Sequence, residues 1–145
     1  MILNVYQNDL LICELDDSVP VLRHCWTKEP TDEQFENGLI ELAKQYRDLK
    51  KSYQNLAWLA DTKLLGELSP EVEQWLENTW EEVLFRESGV TIHAVILGEN
   101  IFADFPMEKF KMDAEEKFRN LNVHLGVFSN QTAAYNWIKA LQQNF

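Results

Sequence analysis

Side-chain oxygens and free backbone N–H groups meet at one junction of this sequence, between a predicted strand and the helix that follows it. The apolar segment 56–60 ends at Asp61 and Thr62, and after a short loop Ser69 precedes a helical segment with Glu71 in its first turn. A hydroxyl at this place accepts from the first N–H groups of the helix, and a helix N-terminus also stabilises a phosphate. Ser69 is therefore predicted to be an N-cap, with a phosphate-acceptor role as the alternative hypothesis.

Polar residues also follow the next two predicted strands. The carboxyl ends of parallel strands share one rim of the sheet, where open α/β sheets bind ligands. Asp61 and Thr62 belong to this rim, although Asp61 can also simply order its own loop. The other residues predicted at the ligand rim are Gly98, Glu99, Asn100, Phe102, Phe105, Ser129 and Asn130.

Aromatic side chains recur at helical spacing, at Trp75, Trp80, Phe85 and Trp137. The simplest interpretation is packing of helices on the sheet. One alternative is an exposed tryptophan that forms a dimer or partner surface. Another is an apolar pocket beneath these helices, with the irregular segment 102–107 as a flexible lid.

Patterns typical of catalysis and metal binding are missing from the sequence. It has no glycine-rich phosphate loop and no GxSxG or HExxH motif. His24, His93 and His124 fall in separate predicted strands, so we expect isolated strand residues and not a zinc site. Cys13 and Cys25 are expected to be buried thiols, with a disulfide between adjacent strands as the alternative. We predict no catalytic residue, metal or cofactor.

The elements that position these residues follow the order β-β-β-α-β-α-β-α-β-α. Residues 2–7, 10–15 and 19–26 are short strand-like runs separated by polar turns, which predicts an antiparallel meander. The later alternation of strands and helices predicts parallel strands with right-handed crossovers. We expect a single α/β domain over residues 1–145, with a mixed, mostly parallel sheet of about five to six strands and about four helices.

The charge balance limits the partners. The chain has 13 Lys and Arg against 24 Asp and Glu, for a formal net charge of -11. Most of its surface therefore repels nucleic acids and anionic membranes. No segment has the composition of a signal peptide or the length of a membrane span. We expect a cytoplasmic protein.

The element order, with Leu-Ala-Asp at residues 59–61, Leu-Ser-Pro-Glu at 68–71, and Trp75 and Trp80, resembles the SpoIIAA-like (STAS) domain family of anti-sigma-factor antagonists. The resemblance covers nearly the whole chain. It is closest to divergent bacterial members that are often grouped with SEC14-type lipid-binding domains. It implies the SpoIIAA-like fold and a non-catalytic regulatory module with a protein partner, and a homodimer is a further possibility.

In the sigma-pathway members of that family, a serine after this strand accepts phosphate from a partner kinase. Asp61 matches by position, and Ser69 matches as the serine at the helix start, beyond a longer loop. The resemblance therefore implies an interaction region formed by Asp61, Thr62, Ser69, Glu71, Trp75 and Trp80.

The SEC14-type relatives imply an alternative function, the binding of a small apolar or lipid-like ligand. The two functions predict different structures. A protein-interaction module should have a filled core and an exposed helix face over residues 69–80. A ligand carrier should have an internal cavity lined by Trp, Phe and Leu side chains.

Overall fold

A six-stranded sheet with the strand order β1-β2-β3-β4-β5-β6 organises the computed structural model. The structure describes residues 1–98 and 107–143, without the side chains of residues 107, 108 and 110. The first three strands pair antiparallel, and β3 to β6 pair parallel. This arrangement confirms the predicted mixed α/β fold. The strands are β1 (Ile2–Gln7), β2 (Leu11–Asp16), β3 (Val21–Trp26), β4 (Ala57–Asp61), β5 (Ile92–Ile96) and β6 (His124–Phe128).

Among the described residues, four α-helices accompany the sheet. They are α1 (Asp32–Lys50), α2 (Pro70–Trp75), α3 (Met107–Lys117) and α4 (Gln131–Gln142), and a 3₁₀ turn covers Arg119–Leu121. Beyond α2 the chain continues through two π-helical stretches, Leu76–Trp80 and Glu82–Glu87, which together we call the π segment. The sequence predicts a helical segment after Ser69, and this change of helix type is not part of that prediction.

Side-chain caps fix where the long helices begin. The Thr31 hydroxyl accepts from the Gln34 N–H at 3.1 Å, while the Gln34 side chain accepts from the Thr31 N–H at 2.9 Å. This reciprocal pair is a capping box. Asn130 caps α4 in a similar way, because its Oδ1 accepts from the Ala133 N–H at 2.8 Å.

The sheet separates two hydrophobic cores. The larger core lies beneath α1, the π segment and α3, and the smaller one lies beneath α4. Strands β3 to β6 lie side by side in sequence order. Because crossovers between parallel strands have the same handedness, the helices that connect these strands lie on the same face of the sheet. The alternation along β3 shows both faces: Leu22 and Trp26 enter the larger core, whereas Val21 enters the smaller one.

Cys13 and Cys25 are free thiols and not a disulfide. Cys13 is buried as predicted, whereas Cys25 is only half-buried. Among residues 1–98 and 107–143, no helix combines the length and the hydropathy that a membrane crossing requires.

Candidate functional site

A cavity of about 740 Å³ lies between the larger helical layer and the carboxyl ends of β3 to β6. One face of the parallel strands forms its floor, and α1 and the π segment form its walls. Its position matches the rim of an open α/β sheet at which ligands bind. The floor residues are His24, Trp26, Trp58, Ala60, Thr62, His93, Val95, Leu97, Leu125 and Val127, and the main wall residues are Phe35, Leu39, Leu76, Trp80, Leu84 and Phe85.

The π segment explains how the helical wall presents its aromatic rings. Trp75, Trp80 and Phe85 are spaced five residues apart. In an α-helix this spacing spreads side chains over different faces, but i→i+5 hydrogen bonding brings them closer to one face. The Glu81 N–H accordingly donates to the Leu76 carbonyl, and the Trp75 and Trp80 rings stack at 5.9 Å. The wider turn thus directs Trp80 and Phe85 to the cavity, with Trp75 packed behind Trp80.

The Trp58 indole joins two histidines in the cavity floor. Its Nε1 donates to Nδ1 of His24 at 2.8 Å. The His93 ring, from the neighbouring strand, packs edge-on against the same indole, with ring centroids 6.2 Å apart. Tyr46 of α1 stacks on the Trp58 ring at 5.4 Å. These contacts hold the centre of the floor in one arrangement.

Both floor histidines are neutral at physiological pH. Burial, and then the nearby His93, lowers the pKa of His24 to about 3. Burial lowers the pKa of His93 to about 4. Since the indole N–H can only donate, Nδ1 of His24 is the acceptor, and its proton is assigned to Nε2. The floor therefore carries polar ring nitrogens without positive charge.

Two polar atoms of the floor residues have no hydrogen-bond partner among the described residues. They are Nε1 of Trp26 and Nδ1 of His93, and the two residues are 1% and 8% exposed. A buried group of this kind costs about 1–3 kcal/mol when it stays unsatisfied.

Three glutamates provide the charged side chains of the cavity lining, within the part of the chain that the structure describes. They are Glu67, Glu73 and Glu81, and neither Lys nor Arg joins them. Glu67 and Glu73 are exposed. Half-buried Glu81 pairs with Lys117 at 3.2 Å. Burial raises the pKa of Glu81, and Lys117 opposes that shift.

The two residues predicted at the end of β4, Asp61 and Thr62, have different surroundings. Oδ1 of Asp61 accepts from the Lys63 N–H at 3.1 Å, so this carboxylate orders the turn after β4. Thr62 lines the cavity, and its hydroxyl donates to the Ile96 carbonyl at 2.7 Å.

Ser69 is the N-cap of α2, as the sequence predicts. Its Oγ accepts from the Val72 N–H at 3.1 Å and donates to Oδ2 of Asp32 at 2.8 Å. A phosphate on this oxygen would therefore lie beside the Asp32 carboxylate. Glu71 is exposed in the first turn and does not line the cavity.

The remaining predicted residues lie at different places. Trp80 is buried in the cavity wall at 6% exposure, and Trp75 is half-buried. Gly98, Ser129 and Asn130 do not line the cavity. The predicted rim residues Glu99, Asn100, Phe102 and Phe105 lie outside the described residues, as does most of the predicted lid segment.

Sequence reasoning missed the centre of the floor, namely His24, Trp26, Trp58 and His93. The alternation along β3 does place His24 and Trp26 on one face. However, the contact of both histidines with Trp58 depends on the order of β3, β4 and β5, which the sequence does not give. A histidine on an otherwise apolar face of a predicted strand is the sequence feature that could have indicated this part of the floor.

Within residues 1–98 and 107–143, no group of three or more His, Cys, Asp or Glu side chains is placed to hold a metal ion. Comparison of the chain with protein-family models, with curated proteins and with solved structures gives no match. The SpoIIAA-like resemblance therefore stays a prediction, and the site is interpreted from its own geometry.

Proposed function

We propose that this protein binds a small, largely apolar molecule in the aromatic cavity and performs no chemical step on it. The observation that carries the proposal is the cavity of about 740 Å³ lined by Trp, Phe and Leu side chains. Sites for small molecules are typically concave, about 300–1,000 Å³ in volume and mostly apolar, with few polar groups that fix orientation. The cavity has this size and this composition.

The walls favour a ligand with a flat or compact apolar body. The rings of the lining form a packed base, since Trp26, Trp58 and Trp80 are 1%, 0% and 6% exposed. The accessible apolar surface comes from half-buried aliphatic side chains, namely Leu68, Leu76, Val95 and Leu97. Burial of such apolar area contributes about 25 cal/mol for each Å² removed from water. Half-buried Thr62, whose hydroxyl oxygen can still accept a hydrogen bond, would orient the polar end of the ligand.

The two functions predicted from the sequence differ in what they require of this region. A ligand carrier requires an internal cavity lined by Trp, Phe and Leu, and the cavity supports that function. The regulatory module with a protein partner, which the SpoIIAA-like resemblance implies, stays a prediction, as does the phosphate-acceptor role of Ser69.

A binding role fits the chemistry of the floor better than a catalytic one. His24 is hydrogen-bonded to an indole rather than to a nucleophile or a carboxylate. The Thr62 hydroxyl donates its hydrogen bond to the backbone carbonyl of Ile96. A general base acts best when its pKa lies near the working pH, and both histidines are well below it.

Calorimetric titration with 2-naphthylmethanol, a neutral bicyclic alcohol, tests the proposal. Ala60→Leu places a larger side chain in the cavity floor, and Ala140→Leu makes the same change on the exposed face of α4, on the other side of the sheet. We expect the natural chain and Ala140→Leu to bind the alcohol alike, and Ala60→Leu to bind it at least about tenfold more weakly. Equal binding by all three proteins, or no binding by any, would overturn the proposal.

A further inference from the structure

The hydrogen-bond pattern changes where the helical wall of the cavity turns from α to π. The Leu76 N–H still donates to the Val72 carbonyl, four residues back, whereas the Glu81 N–H donates to the Leu76 carbonyl, five residues back. In a continuous α-helix the Glu81 N–H would donate to the Glu77 carbonyl. The π register therefore separates the Glu77 carbonyl from the N–H group that would bind it in an α-helix.

Lys117, the last residue of α3, contacts this carbonyl. Its Nζ donates to the Glu77 carbonyl oxygen at 2.8 Å and to Oε1 of Glu81 at 3.2 Å. The same ammonium group thus binds both residues that an α-helical hydrogen bond would join. Because hydrogen bonds from a charged donor are stronger than those between neutral groups, Lys117 competes with the Glu81 N–H for the Glu77 carbonyl and favours the π register.

A second contact connects the end of α3 to the other end of the π segment. Phe118 follows Lys117 and is 1% exposed, and its ring packs against that of Phe85 with centroids 5.0 Å apart. Nζ of Lys117 lies 5.3 Å from the centroid of the same Phe118 ring. Because Phe118 is fixed in the core, the lysine side chain next to it starts from a defined position beside the helical wall.

The aromatic part of the wall depends on this register. Trp80 and Phe85 both line the cavity. At 3.6 residues per turn, their five-residue spacing would place them about 140° apart around the helix axis. In that register the two side chains would not both face the sheet, and the Trp75 and Trp80 rings would no longer stack at 5.9 Å. The cavity lining of this structure therefore requires the π form of the wall.

We propose that Lys117 is a positioning residue for the ligand site, because it holds the helical wall in the π form without lining the cavity itself. This inference rests on the proposed binding function and adds to it the residue that controls the shape of the site. A ligand that binds only the π form has an apparent affinity reduced in proportion to the fraction of molecules in that form. Removal of the ammonium charge lowers this fraction and weakens binding.

Three variants separate the ammonium group of Lys117 from the rest of the helix. Lys117→Met keeps an unbranched side chain and removes the charge, and Lys117→Arg restores a cationic donor. Lys109→Met is the matched control. It removes an exposed ammonium group of α3 whose partner, Asp113, lies one turn away on the same helix at 3.0 Å.

Scalar couplings across hydrogen bonds, measured by NMR on the ligand-free protein, report the register directly. The Glu81 amide nitrogen should couple to the Leu76 carbonyl carbon in the natural chain. In Lys117→Met we expect that coupling to fall to about a third, with a coupling to the Glu77 carbonyl carbon in its place. Lys117→Arg should restore the Leu76 coupling, and Lys109→Met should leave it unchanged.

Calorimetric titration with 2-naphthylmethanol then connects the register to the site. Lys117→Met should bind the alcohol about threefold more weakly, in step with its loss of the π form, while the other two variants bind it like the natural chain. An unchanged Leu76 coupling in Lys117→Met, or equal binding despite a changed coupling, would overturn the inference. If none of the four proteins binds the alcohol while the couplings change as expected, the proposed function fails and the role of Lys117 in holding the π form stands.

Discussion

Nε1 of Trp58 donates a 2.8 Å hydrogen bond to Nδ1 of His24 across neighbouring parallel strands. Trp58 is fully buried and His24 is 4% exposed, so neither group has water as an alternative partner. The bond fixes the orientation of the imidazole and leaves its other nitrogen as the protonated one. This pair determines which polar groups the floor of the cavity offers to a ligand.

Replacing the donor should destabilise the protein. Trp58→Phe retains a ring but leaves the buried Nδ1 of His24 without its partner, and we expect a loss of about 1–3 kcal/mol from the free energy of unfolding. Urea denaturation measures this loss. Because Trp58→Phe also removes volume, the double variant with His24→Leu is the control. Its loss should be smaller than the sum of the single losses by about 1 kcal/mol, and simple additivity would contradict the role of the bond.

The neutral histidines should make folding sensitive to mild acid. Their pKa values are about 3 and about 4 in the folded chain, against about 6.5 when unfolded. Between pH 6.5 and 4 the unfolded state therefore binds more protons, and stability falls as pH falls, by about 2 kcal/mol for each histidine at pH 5. Above about pH 7.5, where the histidines are deprotonated in both states, neither contributes to the pH dependence.

Denaturation at pH 8 and at pH 5 tests that dependence in variants. His93→Gln should lose about half of the histidine contribution, so its stability should change less between the two pH values. His124→Gln alters a half-buried histidine that does not line the cavity, and it serves as the control. An unchanged pH dependence in His93→Gln would show that the buried imidazole is not its source.

Two alanines of β4 should respond oppositely to enlargement. Ala60 faces the cavity, whereas Ala57 is fully buried in the smaller core beneath α4. Ala57→Leu should cost about 1–3 kcal/mol of stability, because a close-packed core has no room for the added carbons. Ala60→Leu should leave stability unchanged or raise it, since the side chain fills empty volume. Equal losses at the two positions, measured by thermal unfolding, would mean that the floor is as tightly packed as the core.

Ser69 should stabilise the fold through its two hydrogen bonds, and a negative charge at this position should not stabilise it further. Ser69→Ala removes the cap of α2 and the bond to Asp32, and we expect a loss of about 1 kcal/mol in urea denaturation. Ser69→Asp can still cap the helix, but it places a second carboxylate beside Asp32, so it should not recover the full stability. Ser129→Ala, next to the cap of α4, is the control. Full recovery by Ser69→Asp would instead favour a site built to accept negative charge.

Local chemistry accounts for the features that could be predicted from the sequence. The cap at Ser69 depends on residues within three positions of each other, so sequence spacing reveals it. The alternation of strands and helices also identified the fold class. Strand order depends on pairing between residues distant in sequence, which is why the contact of His24 and His93 with Trp58 was not predicted.

The helix type of the cavity wall escaped prediction for another reason. At 3.6 residues per turn, Trp75, Trp80 and Phe85 would lie on different faces of the helix. With i→i+5 hydrogen bonding, the same five-residue spacing brings them closer to one face. The repeated spacing was visible in the sequence, but its meaning depends on the cavity that the rings surround.

The tryptophan indole N–H signals in ¹H–¹⁵N NMR test the central claim most directly. The chain has five tryptophans, of which Trp26, Trp58 and Trp80 line the cavity, while Trp137 packs on the opposite face of the sheet. Single Trp→Phe variants assign the signals. Titration with 2-naphthylmethanol should shift the three cavity signals in a saturable manner and leave that of Trp137 in place. If the alcohol does not move the cavity signals, or if only the Trp137 signal shifts, the cavity does not bind small apolar molecules.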